Sequence, residues 1–305
     1  MKIIITGGTG VIGRALTAEL TQAGHQIIIF SRSSRKTVNG AQTIQWDIDN
    51  IESWLPHIKT ADTIVHLSGE NLAGKGFLPT RWSAERKQRI QESRTKTGKI
   101  LVEAIQQVDE KPEIFVQASA IGYYGPHQDE SLTETDSPGD DYLAQTCVEW
   151  EDSTKDLDDL GVRRVIIRTG VVLTPDSGAL ARLLLPYRMF VGGPFGDGRQ
   201  WYSWIHIADE VAAIRFLIEN SKATGVYNLT APHPLQNREF GKTLGKVLNR
   251  PSWIPIPKFA MEAIFGEVAT VVVDGQRVLP KKLQALGFQF QYTDLEPALK
   301  DLLDK

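Results

Sequence analysis

Between residues 6 and 13 the chain reads Thr6-Gly7-Gly8-Thr9-Gly10-Val11-Ile12-Gly13, and few folds have a place for so many glycines so early. Directly before it stands KIIIT (2–6), an apolar run of strand length. Directly after it, Val11 to Ala23 has the spacing of an amphipathic helix. A Gly-rich turn between a buried strand and a helix has a specific use. Gly7 takes the φ of a tight turn, Gly10 lets a pyrophosphate approach the backbone, and Gly13 lets the helix pack closely. The first helical N–H groups and the positive end of the helix dipole then face an anion. Gly7, Gly8, Thr9, Gly10, Val11, Ile12 and Gly13 are therefore read as the cradle of a dinucleotide. The alternative is an ordinary βα turn.

The rest of the first half repeats that alternation. Apolar runs at QIIIF (26–30), TIQWD (43–47), DTIVHLS (62–68), EIFVQAS (113–119) and RRVIIRTG (163–170) are separated by helical segments. The pattern predicts an α/β fold, a Rossmann-type doubly wound parallel sheet with helices on both faces. Past residue 173 the prolines and glycines multiply, and helices are expected near 178–190, 208–221, 236–249 and 258–266. Residues 1–173 read as the nucleotide-binding domain and 174–305 as a smaller C-terminal substrate lobe. GVYNLTA (225–231) reads as a strand returning to the sheet.

The end of the second strand discriminates between cofactors. An NAD site usually has Asp or Glu there, on the ribose 2′-hydroxyl. This chain has Ser31-Arg32-Ser33-Ser34-Arg35-Lys36, with three cations and no carboxylate. A guanidinium suits a 2′-phosphate, so Ser31 and Arg32 point to NADP. A solvated basic loop would leave the missing acid unexplained. Asp47 ends the third strand, either near the adenine or as a surface turn. Leu67, Ser68 and Gly69 end the fourth, in the crevice outside the sheet's carboxyl edge. On the long helix at 80–106, Ile90, Arg94, Thr97, Leu101 and Ile105 share one face. An arginine on that stripe either snorkels outward or meets a buried anion.

Several classes of partner are disfavoured. A net charge of −3 gives no electrostatic case for nucleic acid or an anionic membrane. No apolar run approaches the ~20 residues of a bilayer span, and no signal-peptide pattern is visible. One cysteine, Cys147, forms no internal disulfide, which suits the cytoplasm. The six histidines lack metal-ligand spacing, so no metal is expected.

The N-terminal TGGTGVIG resembles the extended short-chain dehydrogenases. HLSGENLAG (66–74), ESRTKTG (92–98), SAIGYYG (119–125), RTGVVL (168–173), GGPFGDGRQWYSWIHIADE (192–210) and GQRVLPKKLQALGF (275–288) narrow the likeness. They resemble an atypical, epimerase-like branch with a C-terminal domain of unknown function. The resemblance implies NADP contacts at Ser31, Arg32, Leu67, Ser68, Arg94 and Val172, with Arg89 a weaker carry-over.

It also implies a catalytic Tyr followed four residues later by Lys. Tyr142 stands in place of the first, but Thr146 replaces the second. A neutral hydroxyl does not lower a phenol's pKa as an ammonium does. The usual Ser position falls on Ala120, with Ser119 one residue away and so on the opposite face of its strand. Tyr142, helped by Ser119 or Glu70, is the expected proton carrier, although Glu70 equally suits a loop or helix cap. Tyr123 and Tyr124 read as packing residues or as spare phenols. His206 reads as a core histidine, or as part of a polar run lining a substrate cleft. The expected activity is an NADP-dependent oxidoreductase or epimerase acting on a small polar substrate, of sugar or carbonyl type. The rival is a non-catalytic NADP(H)-binding regulator, in line with the cell-division-inhibitor label of some relatives. Helix contacts between such cores allow a homodimer.

Overall fold

A computed structural model describes residues 1–32, 37–74, 76, 78–175 and 177–304. Eight strands form the main sheet: β1 (Lys2–Thr6), β2 (Gln26–Ser31), β3 (Thr37–Val38), β4 (Ala41–Gln45), β5 (Thr63–His66), β6 (Ile114–Ala120), β7 (Arg163–Thr169) and β8 (Gly225–Leu229). Their order is β8-β7-β6-β5-β1-β2-β4-β3. Every pair is parallel except the β3–β4 edge. The expected α/β architecture is thus observed, and the strand expected at 225–231 does rejoin the sheet beside β7.

Side-chain alternation explains why both faces need helices. Phe115, Ile64, Ile4 and Ile28 lie in register across one face. They pack with Trp46, Trp54 and the buried stripe of α2 (Ala84–Gln106), including Leu101 and Ile105. Val165, Val116, Val65, Ile5 and Ile29 line the other face. There they meet Leu16 and Leu20 of α1 (Val11–Gln22), and Val211, Ile214 and Leu217 of a later helix, Ile207–Glu219.

The helix α3 (Tyr142–Asp152) packs along α2 at the sheet's carboxyl edge. The C-terminal part adds α4 (Gly178–Arg188), then Ile207–Glu219 as α5, α6 (Asn237–Leu248), α7 (Lys258–Phe265) and α8 (Leu295–Leu303). A separate core of Leu180, Leu184, Trp204, Phe240, Leu244, Leu295 and Leu299 joins α4, α6 and α8.

Two boundaries move for physical reasons. The third strand ends at Gln45 rather than Asp47, because Trp46 turns into the core and the Asp47 carbonyl accepts the Trp54 indole N–H at 2.8 Å. The long helix starts at Ala84, where the Ser83 hydroxyl caps the Arg86 N–H at 3.2 Å. No helix among the described residues is long and apolar enough to cross a membrane.

Candidate functional site

The carboxyl ends of β1, β2, β5, β6 and β7 lie along one edge of the parallel sheet, where such folds have their ligand crevice, and the turn after β1 stands near its middle. Gly7 sits at φ +71°, and a Cβ there would lie 2.7 Å from the Leu67 carbonyl oxygen. Gly13 presses into the turn itself rather than onto the strand: a Cβ would lie 2.6 Å from Gly8 Cα and collide with the Gly7 oxygen. The turn is closed by the Gly10 N–H donating to Gly7 O at 2.9 Å. Among the described residues no side chain caps the N-terminus of α1, and no acid lies in its first turn. That helix end is therefore left to an external anion, and the residues present fit a dinucleotide. The crevice floor is apolar, with Ile12, Leu67, Ala118 and Val172 packed on the core beneath.

At the end of β2, Ser31 is half-buried and Arg32 exposed. Ser33 to Lys36, which carry the other two cations, lie outside the described residues. Asp47 is exposed in a turn, where its carboxylate accepts the Asp49 N–H at 3.1 Å.

Arg94 lies against Gly69, whose Cβ would come 3.1 Å from its Cζ. The guanidinium donates to the carbonyls of Ile90 (2.9 Å) and Glu70 (3.1 Å), and stacks 4.9 Å from the Trp150 ring centroid. Burial pulls its pKa below the usual guanidinium value. It thus faces the crevice beside Ser68 and Gly69 with neutral acceptors as its hydrogen-bond partners. Glu70 is turned toward another arginine: its carboxylate lies 3.6 Å from Arg86 Nη1. Arg86, buried on α2, also donates to the Asn71 and Leu72 carbonyls and so fastens the loop after β5.

Tyr142 opens α3, directly after Asp141, whose side chain caps the Ala144 N–H at 2.8 Å. Its hydroxyl donates to the Lys87 carbonyl at 3.0 Å, and its ring packs edge-on against Trp82. Burial raises the phenol's pKa; Arg94 and Lys87 pull in the opposite direction. Thr146 spends its hydroxyl on the Tyr142 carbonyl at 2.7 Å.

Ser119 points elsewhere. It is buried, and its hydroxyl donates to Glu151 Oε1 at 2.6 Å. Glu151 also holds Arg168 through two hydrogen bonds of 2.8 Å, and Arg168 donates to Tyr124 Oη at 3.1 Å. Tyr124, itself bonded to Asn228, is fully buried with its phenol pushed up to about 12. Tyr123 lies under the Arg168 guanidinium, 3.2 Å from ring centroid to Cζ. Sequence reasoning missed this network; a charged Arg168 inside an apolar strand was its one visible signal.

The polar run at 197–210 is largely structural. His206 is buried, stacks 4.0 Å from the Tyr292 ring and caps α5 through the Ala208 N–H. Asp209 accepts the N–H groups of Gln291 and Tyr292, tying down the segment before α8. Gln200 donates to the Phe195 and Val272 carbonyls.

Residues 3–230 match the NAD dependent epimerase/dehydratase family. The chain belongs to that family. Residues 256–302 match a domain of unknown function, DUF1731, so the likeness drawn from the motifs holds along the chain. Epimerase family protein YfhF of Bacillus subtilis is 40% identical, with 99% of this chain and 98% of that protein covered. The chloroplastic epimerase family protein SDR39U1 homolog of Arabidopsis thaliana is 39% identical over 99% of this chain and 87% of its own. The crystal structure of human epimerase family protein SDR39U1 with NADPH has a TM-score of 0.89 and 32% identity, covering 100% of this chain and 99% of that one. MoeE5 in complex with UDP-glucuronic acid and NAD shares the fold, with a TM-score of 0.78, 20% identity, and 100% and 98% coverage.

Proposed function

We propose that this member of the epimerase/dehydratase family is an NADP(H)-dependent oxidoreductase or epimerase acting on a small polar substrate of carbonyl or sugar type. The observation that supports the reading is what lies near the Gly-rich turn: the α1 terminus without a side-chain cap among the described residues, Arg94 against Gly69 with carbonyl partners, and the Tyr142 phenol bonded to the helix that carries Arg94. Choice of the phosphorylated dinucleotide is supported by Arg32 at the end of β2, where no carboxylate stands to repel a 2′-phosphate. The NADPH held by human SDR39U1 agrees with it.

When bound, the dinucleotide supplies or accepts a hydride at its nicotinamide ring. The chain does the rest. The α1 N–H groups would bind the diphosphate, Arg94 beside Gly69 would hold the cofactor, and Val172 and Ala118 would supply an apolar floor beneath it. In the reducing direction Tyr142 gives its proton to the substrate oxygen as the substrate carbon takes the hydride; in oxidation it takes that proton back. Ser119 acts from beneath, fixing Glu151 and so the end of β6. Glu70 acts by holding Arg86 and the loop that carries Gly69. The single buried thiol, Cys147, supports a cytoplasmic setting.

Calorimetric titration of the purified chain with NADPH, NADP, NADH and NAD tests the cofactor assignment. Tight binding of the phosphorylated pair and weak binding of the others is expected; no association with either phosphorylated form refutes it. A second reading, a non-catalytic NADP(H)-binding regulator, is favoured by Thr146 in place of lysine. Tyr142→Phe separates the two: an enzyme loses its rate and keeps its cofactor affinity, whereas a binder keeps its function.

A further inference from the structure

The superfamily pattern places a lysine one turn after the tyrosine on the same helix, and here that turn holds Thr146. Positive charge nonetheless reaches Tyr142 from a different helix. Lys87 and Arg94 are seven residues apart on α2, two turns along one face. The Lys87 ammonium lies 4.8 Å from the Tyr142 ring centroid, while the Lys87 carbonyl accepts a hydrogen bond from the phenol. Lys87 is not alone on its outer side. Its ammonium is ion-paired with Glu267, in the short turn Gly266–Ala269. That turn belongs to the C-terminal segment of unknown function. A second tie holds the same segment nearby: Arg81 donates to the Ile264 carbonyl at 3.0 Å and also bonds the Ala263 carbonyl.

Resting on the assignment of Tyr142 as the proton carrier, we infer that Lys87 takes the place of the missing helix lysine as the cation that favours the Tyr142 phenolate. We infer further that Glu267 of the C-terminal segment tunes it by holding the ammonium. Lys87 is thus a positioning residue, acting on substrate through the phenol.

The charge logic is direct. A phenol that hands its proton to a substrate oxygen becomes an anion, and burial opposes that anion. An ammonium within reach offsets the penalty, and a carboxylate on the ammonium's far side weakens the offset. Among the described residues, the charged groups facing the phenol are Lys87 and Arg94 from α2 and Glu267 from the C-terminal turn; Thr146 of its own helix gives its hydroxyl to the Tyr142 backbone carbonyl instead. Trp82 covers the remaining ring edge. The C-terminal segment therefore contributes a charge to the active site as well as apolar packing.

The test reads the phenol without turnover. Difluorotyrosine is placed at position 142 of the full chain, and its ¹⁹F resonance is titrated with pH, with and without NADP. Lys87→Met should raise the ionisation midpoint by about one pH unit, Lys87→Arg should hold it, and Glu267→Gln should lower it. Helix packing alone would not give opposite signs for the two partners, nor rescue by arginine. A midpoint unmoved in folded Lys87→Met overturns the inference, even if Glu267→Gln shifts it. The underlying assignment fails separately: Tyr142→Phe retaining full turnover refutes Tyr142 as proton carrier whatever the midpoints do.

Discussion

Glu210 allows a quantitative test of how the sheet edge is built. It lies in the first turn of α5 and is fully buried, and its Oε1 accepts the Thr169 hydroxyl at 2.9 Å. Its other oxygen, Oε2, is buried without a hydrogen-bond partner among the described residues. Desolvation pushes this carboxyl up to about 8, against an ordinary value of 4.5. Between those two pH values the unfolded chain has released the proton and the folded chain has kept it. Folding stability must therefore fall as pH rises through that window. It is fully present below about 4.5 and the loss is complete above about 8. At about 1.4 kcal/mol per pH unit, the window corresponds to roughly 4–5 kcal/mol, an upper bound if the site opens to water. Glu210→Gln keeps an acceptor for Thr169 and cannot ionise. Urea denaturation of both proteins from pH 5 to 9 should show wild type losing several kcal/mol relative to the variant. Parallel stability profiles across that range would refute the buried, protonated state of Glu210.

Four further outcomes follow from the crevice. Arg32→Glu should weaken NADPH binding by about 1.5–3 kcal/mol, some ten- to hundredfold, while NADH binding holds or rises in calorimetry. Arg94→Gln should cost a similar factor in affinity for NADPH and, by removing the Trp150 stack and a carbonyl bond, about 1–2 kcal/mol of stability in the urea assay. Gly13→Ala should lower NADPH affinity at least about tenfold while far-UV circular dichroism stays native, since the new methyl must open the turn. Asp141→Ala removes the α3 cap and should cost about 1 kcal/mol of stability in the same urea assay.

Much of this architecture was legible in the sequence because its signals are local. Ile3 to Ile5, Ile27 to Ile29 and Val165 to Ile167 are apolar runs whose neighbours on both sheet faces follow from side-chain alternation. The Gly-rich turn was legible for the same reason, since Gly10 and Gly13 answer to the turn's own backbone, although Gly7 is also pressed by the distant Leu67 carbonyl. Arg94 was visible as an anomaly, a cation on a buried stripe, before any contact was known. Ser119 shows the limit. Strand alternation already put it on the face opposite Ala120, but only the fold reveals Glu151 waiting there. Trp46 could not be placed either, because its burial depends on Phe30 and Trp54 closing around it.

The charges around Tyr142 were hidden for a deeper reason. A Tyr-x-x-x-Lys pattern is readable because one helix turn brings both side chains to one face, and its loss reads as a loss of function. Electrostatics depends on distance, not on sequence separation. Here a phenol on α3 is served by Lys87 and Arg94 on α2, and opposed by Glu267 over a hundred residues further on. Motif inspection sees Thr146 and finds the cation absent, whereas the folded chain has a cation in contact with the phenol ring. Fold and charge constrain each other at this point. Arg86 fastens the loop after β5, and Arg81, just before α2, bonds the Ile264 and Ala263 carbonyls of the segment that also carries Glu267, the partner of Lys87. Arg81→Ala, which removes that tie, should therefore shift the Tyr142 ionisation midpoint in the ¹⁹F titration, and an unmoved midpoint would show that the Lys87–Glu267 pair does not depend on it.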